Sequence, residues 1–261
     1  MHTPSHTREI DVTDVDPVIR ALRADDQSQM GRAAGGMGAE ATDRLAALDD
    51  RARTIRAWSP LLIPGVLQTS TYAEAAIRAR TPSLPPEEVA RRVDRRVQRS
   101  ERFLSRWRGA GDGHAWLLVG EAGLMQTVTT VDAHAAQMAR LISVVDRCPR
   151  ISVCVLPDDA STAGTCEPFS VHALADGQRV GHLETAVGGW YTTRSDDLAR
   201  LYSQFACLGR WALGPDETRR VIKEWLTECY LTSSGATRSS SSPATQTPTI
   251  AYSSPDPEQG R

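Results

Sequence analysis

Ile55-Arg56-Ala57-Trp58-Ser59-Pro60-Leu61-Leu62-Ile63-Pro64-Gly65-Val66-Leu67-Gln68-Thr69 is the stretch on which the fold turns. It joins two helical patterns through an apolar link bracketed by prolines. Pro60 and Pro64 disfavour helix at the residues before them, and Gly65 permits a tight turn. A link this apolar is a poor solvated loop, so it is expected to lie across a core.

On its N-terminal side, Met37, Ala41, Leu45, Leu48, Ala52 and Ile55 recur at spacings of three and four, a helical stripe from about Met37 to Arg56. On its C-terminal side a short helix is predicted from Thr71 to about Ala79. The next begins near Pro85-Pro86-Glu87-Glu88, because proline is tolerated in a first helical turn and acids suit its positive end. Val89, Val93, Val97, Leu104 and Trp107 make its expected buried stripe. Arg91, Arg92, Arg95, Arg96, Arg99 and Arg102 fill another face, interleaved with Glu87, Glu88, Asp94 and Glu101. That mixture reads as a solvated face with internal salt bridges rather than a nucleic-acid surface.

Beyond the turn cluster Gly109 to Gly113, Trp116 to Val119 reads as a buried strand leading to Glu121. A helix follows from Val131 to Val145, with Thr130 as its cap. Ile151 to Pro157 alternates as a half-buried strand does. Phe169 to Leu174 and Val180 to Thr185 are two strands around the hairpin signal Asp176-Gly177. Gly188-Gly189-Trp190-Tyr191 is a loop or sheet edge. Ser195 caps a helix striped by Leu198, Leu201, Tyr202, Phe205 and Leu208. Gly214-Pro215 precedes a last helix through Cys229. The expected organisation is a poorly defined segment 1–36, one domain over 37–231, and a disordered Ser-, Thr- and Pro-rich tail over 232–261.

The 30 Lys and Arg nearly balance the 32 Asp and Glu, so no global charge draws the chain to nucleic acid. Lys223 is the only lysine. No apolar run approaches a membrane span, and the N-terminus lacks the pattern of a signal peptide. The five cysteines, Cys148, Cys154, Cys166, Cys207 and Cys229, show no C-x-x-C pair. They are expected to be reduced thiols in a cytoplasmic protein.

The opening stretch, with Tyr72 and Ala73 after it, resembles the start of the C-terminal domain of actinobacterial antitoxin-like regulators of the XRE helix-turn-helix class. The matching positions there are Ile55, Arg56, Trp58, Pro60, Leu62, Ile63, Pro64, Gly65, Leu67, Gln68 and Thr69. The arginine run is similar too, at Arg92, Val93, Arg96, Val97 and Arg99, with Ser100 where the family has glutamine. So are Ile151 to Pro157, and Phe169, Val180, Leu183 and Glu184. The resemblance spans roughly Ala39 to Glu228. It implies an effector or partner-binding domain, a small partner protein, and a helix-turn-helix upstream. The residues before Arg32 show no five-helix pattern and no basic recognition helix, only Val18, Ile19 and Leu22 along one short helix. Specific DNA binding by this chain alone is therefore not expected.

Candidate chemistry is sparse. His182 and Glu184 share a strand face and His172 lies on the preceding strand, but a metal needs several placed ligands. The reading carries no metal and no cofactor. Glu121 and Glu184 fall near strand ends and are the weak acid–base candidates. The ion-pair alternative is favoured, because a buried carboxylate needs a partner and Arg92 or Arg96 supplies one. No nucleophile elbow, P-loop or dinucleotide fingerprint is present. Cys154 sits inside an alternating strand, where a thiol is ordinarily core.

The expected fold is α+β: N-terminal helices packed on a small, mostly antiparallel sheet, closed by C-terminal helices. The expected function is non-enzymatic binding of a small-molecule ligand or a partner protein, with homo-oligomerisation left open. Gln68, Arg92, Arg96, Glu184, Trp190 and Tyr191 are the expected binding residues. An enzyme acting on a small polar metabolite through Glu121 and Glu184 is the alternative. A DNA-binding regulator with a divergent N-terminus comes third.

Overall fold

The computed structural model describes residues 39–126, 128–159, 167–185 and 188–235. The short N-terminal helix expected around Val18 to Leu22 and residues 236–261 of the expected tail lie outside them, whereas residues 232–235, expected to begin the disordered tail, continue the last helix. The fold is α+β. Helix α1 (Ala39–Arg51) leads directly into strand β1 (Ala52–Ser59). A 3-10 turn (Gly65–Leu67), α2 (Ser70–Arg80) and α3 (Pro86–Arg108) follow. Then come β2 (His114–Gly120), the short α4 (Glu121–Met125), α5 (Val131–Arg147) and β3 (Ile151–Leu156). The hairpin strands β4 (Phe169–Leu174) and β5 (Arg179–Thr185) precede β6 (Gly188–Thr192), α6 (Ser195–Gly209) and α7 (Pro215–Gly235).

One six-stranded sheet is ordered β3-β2-β1-β4-β5-β6. The β1–β2 and β2–β3 pairings are parallel; β1–β4, β4–β5 and β5–β6 are antiparallel. The sheet is thus mostly antiparallel by pairings, with a parallel three-stranded end. Its turn at Gly177 needs a positive φ of 85°, which glycine adopts without strain. Thr130 caps α5 by accepting from the Ala133 N–H at 3.3 Å. Ser195 is not a cap: Arg194 occupies that position and no side chain caps α6.

The helix expected to run to Arg56 stops at Arg51, and the residues after it form the central strand. The helical reading failed for a physical reason. β1 is covered on both faces, so Ala52, Ile55 and Trp58 are all buried at intervals of three, which imitates a helix stripe. Ile55 faces Leu48, Tyr72, Phe103 and Trp107 in the larger core, under α1, α2, α3, α5 and α7. Trp58 faces the other way, with Leu118, Phe169 and Val171, against Leu198, Leu201 and Leu208 of α6.

Trp107 shows which effects dominate the larger core. Its ring is 1% exposed, and its Nε1–H has no hydrogen-bond partner among the described residues. A buried aromatic of this size removes about 150–250 Å² from water, roughly 4–6 kcal/mol at 25 cal/mol per Å². That outweighs the penalty of about 1–3 kcal/mol for an unpaired donor. Arg150, with its guanidinium carbon 5.1 Å from the ring centroid, adds a cation–π contact.

The apolar link crosses the carboxyl end of β2 through a notch made by Gly120. A Cβ built on Gly120 would lie 2.2 Å from the Pro60 carbonyl oxygen and 3.0 Å from its carbon. Both obstructing atoms are backbone, so the link itself must move to admit a methyl group. Gly120→Ala is therefore expected to destabilise the protein by about 1–3 kcal/mol, the usual cost of overpacking. Urea unfolding checks this; an unchanged midpoint would show that the link is not held against the strand end.

Candidate functional site

Every polar group of the buried link has to find a partner. Ser59 Oγ donates to the Leu62 carbonyl at 2.7 Å, and the Ile63 N–H donates to the Tyr72 hydroxyl at 3.3 Å. Ser100 Oγ donates to the Val66 carbonyl at 2.6 Å. Gln137 spans the end of the link: its Nε2 donates to the Leu67 carbonyl at 2.9 Å and its Oε1 accepts from the Thr69 N–H at 2.7 Å. Arg140 adds a second donor to Leu67 at 3.1 Å. Tyr72 and Ser100 stand at motif positions in the sequence, but Gln137 and Arg140 were not picked out from it. The signal for Gln137 was a polar residue at a fully buried position of an otherwise apolar helix stripe.

The link so held forms one wall of a cavity of about 650 Å³. The cavity opens at the carboxyl ends of β1 and β5, beside the start of β4, where Ser59, Glu184 and Pro168 meet. Parallel strands commonly present their ligand sites at that end. Leu62, Ile63, Ala76 and Ile77 supply apolar wall; Arg80, Arg92, Arg96 and Arg99 supply positive charge.

The arginine face of α3 is therefore divided. Arg91 pairs with Glu88 at 2.8 Å, Arg95 with Asp43 at 2.7 Å and Arg102 with Asp50 at 3.6 Å on the outer side. Arg92, Arg96 and Arg99, spaced by four and three, turn inward to the cavity. The solvated-face expectation holds only for the outer set.

Gln68, Arg92, Arg96 and Glu184 all line this one cavity. Their contacts differ from the expected pairing of Glu184 with Arg92 and Arg96. Glu184 Oε1 accepts from Arg80 Nη1, and Arg80 Nη2 also donates to the Thr185 carbonyl at 2.8 Å. Arg92 is taken by Glu88 at 2.8 Å, one helical turn earlier. Arg96 Nη1 donates to Gln68 Oε1 at 2.9 Å. Only Arg92 pairs within its own helix; Arg80 and Arg96 take partners from distant segments, at the end of β5 and in the link. Burial lowers the Arg96 pKa; the Glu184 charge opposes this, while Arg99, Arg80 and Arg92 reinforce it.

Trp190 and Tyr191 do not line the cavity. Trp190 sits opposite Leu183 on the sheet edge. Tyr191 is buried behind the wall, its ring 4.8 Å from His182, which does line it. Burial pushes the Tyr191 hydroxyl up to about 12. It pushes His182 down to about 3, with His172 and Arg99 acting in the same sense and Asp49 against.

Beneath the cavity floor lies a buried charge cluster that sequence reasoning missed. Asp49 is 2% exposed; it accepts from Arg99 Nε at 2.7 Å and lies 3.1 Å from His172 Nε2. Burial alone raises the Asp49 carboxyl, but the Arg99 charge and the His172 hydrogen bond outweigh it and hold it below the ordinary range. Nothing in the spacing of Asp49 along its helix marks it as buried.

Glu121 is not a cavity residue. It starts α4, and its Oε2 accepts from the Asp158 N–H at 3.0 Å, tying the ends of β2 and β3 together. The two acid–base candidates therefore do not share this cavity. His172 is committed to Asp49, and among the described residues no group of three or more His, Cys, Asp or Glu is placed to hold a metal. Burial raises the Cys154 thiol pKa, which disfavours the reactive thiolate. Cys166 lies outside the described residues. No described helix is long and apolar enough to cross a membrane.

A family model described as a domain of unknown function, DUF5753, matches residues 42–224. No curated protein matches the chain.

Proposed function

The chain belongs to the DUF5753 family, and from the cavity at its strand ends we propose that it is a non-enzymatic binding domain whose small ligand enters beside the apolar link. The observation that carries this reading is the cavity itself. Its volume of about 650 Å³ suits one small molecule, and it combines apolar wall with a few convergent polar groups. The charged groups are four guanidiniums and one carboxylate, joined by a neutral histidine, two amides and several hydroxyls, a set suited to recognition. The motif run from Ile55 to Ala73 resembles the effector half of antitoxin-like regulators of the XRE class. That resemblance supports a receiver role, with a small partner protein reading the liganded state.

Ala79 is an exposed residue on the cavity rim, so a large side chain there should obstruct the mouth without disturbing the core. A chemically diverse small-molecule set, screened by thermal shift, is expected to yield compounds that stabilise the wild type. A ligand at one hundred times its dissociation constant contributes about 2.7 kcal/mol. The same compounds should lose their effect on Ala79→Trp. Stabilisation that survives this substitution would place the ligand elsewhere and sink the proposal.

A further inference from the structure

We propose that this cavity is built for an amphipathic monocarboxylate, its head on Arg96 and its apolar body against Leu62, Ile63, Ala76 and Ile77. The inference rests on the binding role proposed above and adds the ligand's chemistry. Four guanidiniums line the cavity, and Glu184 is the one acidic residue among the lining side chains. Three of the four are already matched by carboxylates: Arg80 by Glu184, Arg92 by Glu88 and Arg99 by Asp49. Arg96 is the exception. Its hydrogen-bond partner is the neutral side chain of Gln68, and it has no carboxylate partner among the described residues.

The Gln68 contact is also oriented. Gln68 Nε2 donates to the Ile63 carbonyl at 2.7 Å, which leaves Oε1 to face Arg96. Reversing the amide would set oxygen against oxygen and donor against donor. The link thus holds Arg96 by Nη1, while its aliphatic stem rests 3.8 Å from where a Gly65 Cβ would stand. No hydrogen bond within the described residues engages Nε or Nη2. That edge of a guanidinium matches the two oxygens of a carboxylate in a planar, two-bond pair.

The count of charges selects the ligand. A polyanion such as a nucleotide or nucleic acid calls for several cations free of ion pairs, and among the four lining guanidiniums Arg96 alone makes none within the described residues. A neutral ligand leaves a part-buried guanidinium with a single neutral partner, the situation that desolvation penalises. One negative charge satisfies it. Leu62, Ile63, Ala76 and Ile77 form an apolar side of the cavity, and Leu61, half-exposed at the rim, continues that surface outward.

The test compares ligands of one body and different heads on the full chain: octanoate, octanamide and octyl phosphate, by calorimetry and thermal shift. Octanoate is expected to bind at least about tenfold more tightly than octanamide, the usual margin for a charge-assisted pair. Arg96→Met should erase that difference, and Arg96→Lys should restore part of it. Circular dichroism checks that each variant is folded, and the wild-type comparison stands without either. Equal binding of octanoate and octanamide overturns the proposal while leaving the cavity as a ligand site. Tighter binding of octyl phosphate than octanoate overturns the carboxylate assignment in favour of a dianion. Absence of octanoate binding overturns it as well. Octanoate binding unaffected by Ala79→Trp puts the site outside the cavity, and both readings then fail together.

Discussion

Replacing Asp49 by alanine is expected to cost the protein about 3–5 kcal/mol, the range for removing one member of a buried charge pair. The carboxylate is 2% exposed and serves two partners at once, Arg99 at 2.7 Å and His172 at 3.1 Å. Without it the Arg99 charge, itself only 16% exposed, faces a histidine and the positive wall of the cavity. Asp49→Asn keeps the shape but removes the negative charge that faces Arg99, so it should also destabilise, by less than alanine. Urea unfolding at neutral pH measures both. A loss under about 1 kcal/mol for alanine, the scale of a surface pair, would show that water reaches the cluster. The sign with pH follows from the lowered Asp49 pKa. The stabilisation is present above the ordinary carboxylate range and disappears as pH falls through the lower folded value.

A second large effect is expected at mildly acid pH, from His182. In the folded chain its pKa is about 3, against 6.5 for a free imidazole, because the ring is buried beside Tyr191 and lies near the Arg99 charge. Above pH 6.5 both folded and unfolded states hold it neutral, and it contributes nothing to pH dependence. Below 6.5 the unfolded chain takes up a proton that the folded chain refuses, so stability falls as pH falls. The loss is complete near pH 3 and amounts to roughly 3–6 kcal/mol at 1.36 kcal/mol per unit. Most of this lies above the window in which Asp49 titrates. His114 acts in the same direction through its own burial and Arg150, but it is only half-buried and contributes less. Denaturation midpoints from pH 7 to pH 4 provide the check. His182→Gln should flatten the profile relative to wild type, and parallel profiles would show that His182 protonates freely in the fold.

The sequence made the regular elements legible where the apolar residues keep to the period of the element they form. The stripe from Val131 to Val145, the alternation from Ile151 to Leu156 and the Asp176-Gly177 hairpin all correspond to observed elements. It was misleading where two faces are buried, which is why β1 passed for the end of a helix. Strand order was not legible, because β1 pairs with strands that begin far along the chain at His114 and Phe169. At the cavity, Gln68, Arg92, Arg96 and Glu184 were singled out by motif position and converge on one space. Their individual partners were not legible, since these depend on which side chain reaches first: Arg80 is on another helix from the expected arginines. The Asp49 cluster was invisible for a related reason. Local spacing cannot mark a helix aspartate as buried when its histidine lies 123 residues away.

The position of β1 also governs how the chain acquires its shape during synthesis. It leaves the ribosome among the earliest described elements, yet both of its edges stay open until much later residues emerge. Parallel pairing with β2 cannot close as a hairpin and has to wait for α2 and α3 to be made. The other edge waits for β4, as does the histidine that locks Asp49 of α1. Such distant pairing carries its entropic cost before any contact repays it, which makes folding slow and late. Until then Ile55 and Trp58 are presented on an uncovered strand, the form in which nascent chains associate with one another or are held by chaperones.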